Sequence, residues 1–457
     1  MKIRLFFAPW EYQCEELGTY PLGIAYLGAV LEKAGYDTKG FNLGYKKWED
    51  AKESVKNIIK EDKPDIIGLT VLTNNRTSSF NLFKLVKEIN PKIITIAGGV
   101  HVTFMYKQVL ENYPQVDYIV LGEGEQTITE LVKAIKNKRG LKELKKIKGI
   151  AFKHNGEIIV TGRRERIRDL NSLPEPKHEY FEDQINKTGT VYIMSSRGCP
   201  FNCEFCPSSP FWGQFVARRN PKNIFKEIMN LNKRFPNLKL IIFGDDEFIC
   251  DNKNVIELCK LMIKNNFNKK WICAGGRTTS INEELLSWMK KAGCTTIGIG
   301  IESGSQELLD RMNKKQTISQ IIRAVNICKK QGIKPDPLLF IGFPGETSKS
   351  INQTIDLLKK LRLEDSPGFL ILPPGTGVYE TAKKNNYITD DYWLTENPMP
   401  FYFQENSEIK MGYWNLKIAF ITAFYARGFK GVADVFKNRI ASKISLSRLK
   451  EMYKRYL

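Results

Sequence analysis

Short apolar runs, each about one strand long, recur along the chain. Between them lie stretches whose apolar residues fall every three or four positions. Ile3 to Ala8 is the first run. Pro21 to Ala34 carries helical spacing and stops at Gly35, a residue that ends helices because it takes up left-handed backbone at little cost. Asp65 to Thr70 and Ile93 to Ala97 are rich in Ile and read as buried strands. Asp117 to Leu121 is another, followed by Gly122-Glu123-Gly124-Glu125 and a helical pattern to Ile135. Strands interspersed with helices predict a doubly wound parallel sheet over residues 1–145. Ligands of such sheets bind beyond the carboxyl ends of the strands, where Gly98, Gly99, Gly122 and Gly124 fall.

From Lys148 to Val160 the pattern is that of a hairpin turning at Asn155-Gly156. With the ordered linker Asp169 to Pro176 it is assigned to a connecting segment, residues 146–189. A second series follows over residues 190–388. Its strand signals are Val191 to Met194, Leu240 to Phe243, Trp271 to Ala274, Thr296 to Ile301, Pro337 to Phe343 and Gly368 to Leu372. Six strands with intervening helices predict an open (β/α)6 barrel, with chemistry collected at the strand ends as in full barrels. Residues 389–457 read as helical and basic, with amphipathic stretches at Trp414 to Arg427 and Ile444 to Tyr456. The expected class is therefore α/β: a Rossmann-like domain, a partial barrel and a C-terminal helical segment.

The 457 residues suffice for two to three domains with large cores. A hydrophobic fraction of 42% is that of a soluble globular protein, and no apolar run approaches the ~18 residues that span a bilayer. The opening, Met1 to Trp10, is too short in its apolar part for a signal peptide. Nine cysteines without a regular framework argue for a reducing compartment, hence a cytoplasmic protein. The net charge of +20 favours anionic partners: nucleic acid, an anionic membrane surface or a phosphorylated substrate. Most of this charge is spread along the chain and reads as a solvated surface. Phe401 to Leu457 is the exception, with eleven Lys and Arg against four Asp and Glu and aromatics interleaved.

The strongest chemical signal follows the strand at Val191 to Met194. Cys199, Cys203 and Cys206 stand at C-x3-C-x2-C spacing. Three thiolates can hold three irons of a four-iron, four-sulfur cube and leave the fourth open to a substrate or cofactor. A zinc site would take four ligands, and the nearest further candidate is His178; a disulfide is the other bland reading. Cys250, Cys259, Cys273, Cys294 and Cys328 share no ligand spacing and read as buried thiols rather than an auxiliary cluster. Cys14 alone cannot hold a second one.

This triad, with the flanking Arg197-Gly198-Cys199-Pro200 and the aromatic Phe205, resembles the radical S-adenosylmethionine (radical SAM) enzymes, and the whole segment from about residue 190 to 385 resembles their core. The resemblance implies a [4Fe-4S] cluster on Cys199, Cys203 and Cys206, with the open iron chelated by SAM and a 5′-deoxyadenosyl radical as product of its reductive cleavage. It places Phe205 against the adenine. It makes the carboxylates of Gly244-Asp245-Asp246-Glu247 acceptors for the methionine ammonium. The bland alternative is a loop of solvated acids or a capped helix start. The two-Asp form departs from the commonest Gly-Gly-Glu version and looks like the variant of cobalamin-associated members. Arg277 is implied to pair with the methionine carboxylate through two parallel hydrogen bonds, and Glu302 to bond the ribose or the ammonium; a structural salt bridge is the alternative for each. Ile341 and Gly342, in Ile341-Gly342-Phe343-Pro344-Gly345-Glu346, would lie against adenine, although Pro-Gly makes a tight turn in any case.

The first 145 residues resemble the cobalamin-binding domain that precedes many radical SAM cores. The matching stretches are Pro21 to Leu27, Asp65 to Leu69, Gly98 to Thr103 and Asp117 to Glu125. The resemblance implies that Gly98, Gly99, Gly122 and Glu123 lie against the corrin and its tail, with Thr70 to Leu72 bonding the tail. One departure stands out: the Asp-x-His-x-x-Gly motif of cobalt-ligating domains is absent. His101 reads as a polar residue at a strand-end turn before it reads as a cobalt ligand. The function expected from the resemblance is a cobalamin-dependent methyltransferase. It would act on an unactivated carbon or a phosphinate phosphorus through the 5′-deoxyadenosyl radical and methylcobalamin. Cyclisation, oxidation or carbon–carbon coupling is the alternative, with or without cobalamin. A small-molecule, lipid or peptide substrate and an external one-electron reductant are the expected partners, and no nucleic acid is. From a different class, the charge and tail fit a membrane- or nucleic-acid-binding module. Residues 414–427 would then lie on a membrane, or else cap the barrel mouth.

Overall fold

The first sheet is parallel from its first strand to its fifth, and that part is apolar on both faces. In this computed structural model, which describes residues 1–10, 20–365, 367–396 and 411–437, its strands are β1 (Lys2–Phe7), β2 (Asp37–Asn42), β3 (Ile66–Thr70), β4 (Ile94–Gly98), β5 (Tyr118–Val120), β6 (Ile150–His154) and β7 (Glu157–Val160). They lie in the order β2-β1-β3-β4-β5-β6-β7. Successive side chains of a strand point to opposite faces. Ile3 and Leu5 pack under the helices Leu22–Lys33 and Glu125–Lys136, while Phe6, Ile67 and Leu69 pack under Trp48–Asp62, Arg76–Ile89 and Val100–Asn112. Burial on both faces is why these strands read as continuous apolar runs rather than alternating ones.

The hairpin forms at Asn155-Gly156, but it does not stand apart in a connecting segment. β6 pairs antiparallel with β5, and β7 with β6, so the hairpin extends the first sheet.

The second sheet is β8 (Thr190–Ile193), β11 (Leu240–Phe243), β12 (Lys270–Gly276), β13 (Cys294–Glu302), β14 (Lys334–Ile341) and β15 (Gly368–Phe369), all parallel and each beside the next. A two-stranded ribbon, β9 (Ser196–Arg197) with β10 (Ala217–Arg218), brackets the cysteine loop. β14 starts earlier than its apolar run because it admits Pro335 and Pro337. A proline supplies no N–H, and on that side the short β15 pairs only with Phe340 and Ile341. The α/β class with an open six-stranded barrel is thus as expected.

The helix Met411–Val435 packs on the outer helix Ser348–Leu361 through Trp414 and Ile418. Thr422 exchanges hydrogen bonds with Asp365, and Arg427 pairs with Glu364. Those acids enter β15 from the barrel's far end, so this helix is not a cap over the mouth. The expected helix at Ile444 to Tyr456 lies outside the described residues.

Candidate active site at the facing strand ends

β8 runs straight into the cysteine loop, and the loop is held by backbone. The Asp245 carboxylate, at the end of β11, accepts from Ser195 N at 3.0 Å, Ser195 Oγ at 2.7 Å and Ser196 Oγ at 2.6 Å, and also from Ser196 N. Asp246 accepts from Gly198 N at 3.1 Å. Gly198 has φ of 94°, and a Cβ there would sit 2.5 Å from the Phe215 carbonyl oxygen. Only glycine fits this turn. The three thiols are unbonded to one another. Burial, with a smaller push from neighbouring thiols and acids, raises Cys199 to about 12 and Cys206 to about 11. Among the described residues no three His, Cys, Asp or Glu side chains converge as the ligands of a single metal ion do. A cube spreads its ligands over separate irons, and three thiols of one loop can serve it in that way.

Two of the three expected ammonium acceptors are already engaged. Asp245 gives both oxygens, and Asp246 its Oδ2, to the stem of the cysteine loop. Glu247 remains: it is buried, accepts one bond from Arg277 N at 3.1 Å, and burial lifts its carboxyl to about 7. Arg277 is 3% exposed and lies 3.6 Å over the Phe201 ring, with Nη1 3.7 Å from Cys203 Sγ. Its Nε and Nη2 have no partner among the described residues. Two orphaned, buried, parallel N–H groups beside the thiols are a cradle for a carboxylate, and this fits the methionine end of SAM.

Glu302 ends β13 in left-handed backbone, φ 61°, and pairs with Lys314 at 2.6 Å. Lys314 is buried; burial pulls its ammonium down, but Glu302 and Cys203 beside it hold it above the ordinary value. Sequence reasoning missed it, since nothing in Asn313-Lys314-Lys315 marks one lysine as buried. Phe205 meets Phe340 at 4.8 Å, beside the buried Ile341. Gly342, φ 100°, donates its N–H to Glu346, whose carboxyl burial raises to about 7. Cys259, Cys273, Cys294 and Cys328 are core thiols, and burial pushes each of them up. Cys250 lies beside Arg218.

A cavity of about 300 Å³ opens between the two sheets. Thr70, Gly98, Gly99, Gly122 and Gly124 supply its strand-end wall, Ile24, Leu27 and Ile128 its depth, and Met194, Arg197, Phe211 and Trp212 the barrel side. Glycines of this wall stand where a side chain would collide with the fold itself. A Cβ on Gly99, φ 110°, would lie 2.6 Å from the Val71 carbonyl oxygen, and one on Gly68 would lie 2.8 Å from Leu5. An apolar slot with a hydroxyl and bare backbone at its rim suits the heteroaromatic tail of a cobalamin, the macrocycle lying at its mouth. Glu123 lines this cavity, but its carboxylate is engaged by Arg197 at 3.0 Å and Ile167 N at 2.8 Å. Leu72 and His101 do not line it. His101 is buried against Trp393 and 3.3 Å from Thr73 Oγ1, and burial lowers it to about 3, so it is a neutral core residue.

Comparison with known proteins agrees with both halves. Residues 193–358 match the Radical SAM superfamily and residues 15–132 the B12 binding domain. An uncharacterised methyltransferase of Pyrococcus horikoshii is 34% identical over 401 residues, 86% of this chain and 85% of that protein. The anaerobic magnesium-protoporphyrin IX monomethyl ester cyclase of Rubrivivax gelatinosus is 32% identical, over 74% of this chain and 62% of its own length. In fold the chain is similar to the radical SAM methyltransferase TsrM of Kitasatospora setae, solved with cobalamin and a [4Fe-4S] cluster, with a TM-score of 0.70 at 18% identity over 84% of this chain and 75% of that one. It is also similar to the cobalamin-dependent radical enzyme OxsB, with a TM-score of 0.69 at 21% identity over 87% and 57%.

Proposed function

This chain belongs to the cobalamin-dependent radical SAM enzymes, whose cofactors are a [4Fe-4S] cluster, SAM and cobalamin, and from that premise we propose that it is a methyltransferase acting on an unactivated carbon or a phosphinate phosphorus. The observation that carries the proposal is the single cavity whose opposite walls come from the two sheets: Met194, Arg197, Phe211 and Trp212 face Gly98, Gly99 and Gly122. When bound, these cofactors supply a hydrogen-abstracting radical and a transferable methyl group. In this reading Cys199, Cys203 and Cys206 hold the cluster. Arg277 orients the methionine carboxylate, Glu247 accepts from its ammonium, and Phe205 with Ile341 and Gly342 borders the adenine. Glu302 is held by Lys314 and keeps one oxygen for the ribose or the ammonium. Thr70, Gly98, Gly99 and Gly122 line the corrin side. The buried, charged surroundings position these groups and exclude water.

The test is anaerobic reconstitution with methyl-labelled SAM, cobalamin and a chemical reductant, without substrate. Label on the corrin together with S-adenosylhomocysteine supports methyl transfer; 5′-deoxyadenosine with no label on the corrin overturns it. Cyclisation is the second reading, favoured by the 32% identity to the cyclase, and the unlabelled outcome is the one it predicts.

A finer proposal concerns the exposed aromatic side chains of Met411–Val435, a helical stretch broken at Gly428, and of the turn after it. Phe429 is 83% exposed, and Tyr413, Tyr425 and Phe436 are at least half so. Lys417, Lys430 and Lys437 stand among them, and no helix of the described residues is long and apolar enough to cross a membrane. An aromatic row with interleaved cations fits the surface of an anionic bilayer. Flotation with phosphatidylglycerol vesicles at low salt is expected to carry the protein, and Phe429→Glu to release it. No flotation, or flotation indifferent to Phe429→Glu, removes this proposal.

A further inference from the structure

The stem of the cysteine loop is gripped from both sides. The barrel holds it through Asp245 and Asp246, as described above. The first sheet holds it through Arg197, two residues before Cys199. Arg197 Nη1 reaches Glu123 at 3.0 Å and Nη2 reaches Glu125 at 2.5 Å, both across the junction. The guanidinium lies 5.1 Å over the Tyr26 ring, and Arg166 donates to the Arg197 carbonyl at 3.1 Å. Arg197 and Glu125 are buried, 4% and 6% exposed, and Glu123 and Arg166 are partly buried. The contact continues inward. Tyr26 Oη accepts from Arg219 at 3.4 Å, Arg219 pairs with Glu227, Glu227 lies 3.0 Å from His178, and His178 Nδ1 lies 2.7 Å from Tyr20 Oη. One buried polar chain thus ties the cavity's helix, the cysteine loop, the barrel and the connecting segment.

A buried ion pair of this kind contributes little net stability, because desolvation offsets most of the attraction. What it fixes is geometry. We propose that Arg197 is a positioning residue that sets the cysteine loop against the corrin side of the cavity, using one guanidinium to hold two carboxylates of the Gly122-Glu123-Gly124-Glu125 turn. This deepens the methyl-transfer reading and rests on it. Lysine cannot substitute, because an ammonium offers no rigid fork for two acceptors. A slack junction lets both halves keep their ligands while the reacting atoms lose their mutual placement, and misplacement by about 1 Å costs on the order of a hundredfold in rate.

The test uses the full chain, reconstituted anaerobically, as wild type, Arg197→Lys, Glu125→Gln and the double variant. Two quantities are read: label transferred from SAM to cobalamin relative to 5′-deoxyadenosine formed, and amide hydrogen exchange over residues 122–128. Arg197→Lys is expected to keep its iron complement, to lower the transfer-to-cleavage ratio at least about tenfold, and to speed exchange of the turn. Glu125→Gln is expected to act in the same direction, and the double variant to add little, because both changes cut the same link. An unchanged ratio with unchanged exchange overturns the proposal. So does loss of iron in step with transfer, which marks a merely structural residue, or full additivity. Should wild type transfer no label, the methyl-transfer reading fails, while the exchange and non-additivity measurements still judge the link.

Discussion

The carboxyl end of the first sheet is made by leaving side chains out; that of the second is made by burying charges. At the first, Gly98, Gly99 and Gly122 open an apolar slot whose rim is backbone. At the second, Glu247, Arg277, Glu302 and Lys314 are buried within one shell around the thiols. The difference follows from what each end is to hold. A large, mostly apolar macrocycle gains from contact area and loses from any protruding Cβ. A zwitterion beside thiolates needs opposite charges already in place, because reorganising them later is costly. The two ends should therefore fail differently: the first to added volume, the second to lost charge or lost ligand.

The largest effect is expected from Cys203→Ala. It removes the buried member of the triad, the one Arg277 touches, so iron content and 5′-deoxyadenosine formation should both fall to background while circular dichroism stays that of the wild type. Turnover in this variant would refute the cluster assignment outright. Next comes Gly99→Val at the other end. The left-handed backbone disfavours any Cβ, and this one points into the Val71 carbonyl. Loss of cobalamin retention and of at least about 2 kcal/mol in unfolding free energy is expected, with the cluster still assembled. Loss of the cluster along with cobalamin would erase the distinction between the two ends.

Arg277→Gln comes third. Removing the orphaned N–H pair should weaken SAM binding roughly 10- to 100-fold, the worth of a charge-assisted bidentate contact, with cluster absorbance and cobalamin binding retained. A larger effect on cobalamin than on SAM would move Arg277 to the wrong end.

The parts of this contrast that rest on local pattern were legible in the chain. β1, β3 and β4 announce themselves because burial on both faces forces continuous apolar runs, and the triad because three ligands must lie close in one loop. Long-range pairing was not legible. Nothing in Lys148 to Val160 says that its hairpin will join β5, since the pairing partner lies about thirty residues away. Asp245 and Asp246 look like free acids until the serine and glycine donors that consume them are folded beside them. Lys314 is one of seventy basic residues, singled out only by the Glu302 that turns to meet it. His101 drew notice as the only histidine of its region, yet Trp393, almost three hundred residues on, is what buries it.

The last predicted effect separates the two ends by pH. Glu346 closes the turn after β14, where it accepts the Gly342 N–H, and burial holds its carboxyl up to about 7. Its value in the unfolded chain is the ordinary one near 4.5. The folded state therefore binds this proton more tightly than the unfolded one. The associated stability is complete below about pH 4.5 and is lost as pH rises through about 7. The difference of roughly 2.5 units corresponds to at most about 3 kcal/mol. Urea midpoints of the cofactor-free protein should fall between about pH 5 and about pH 8, and Glu346→Gln, which keeps the shape without the proton, should flatten part of that fall. In the first sheet, burial holds the buried His101 down to about 3, outside this window. His101→Gln should therefore leave the slope as it is, whatever it does to the absolute stability. Parallel curves for wild type and Glu346→Gln would mean that the second end does not hold this buried acid proton, and the contrast would then rest on Glu247 and Arg277 alone.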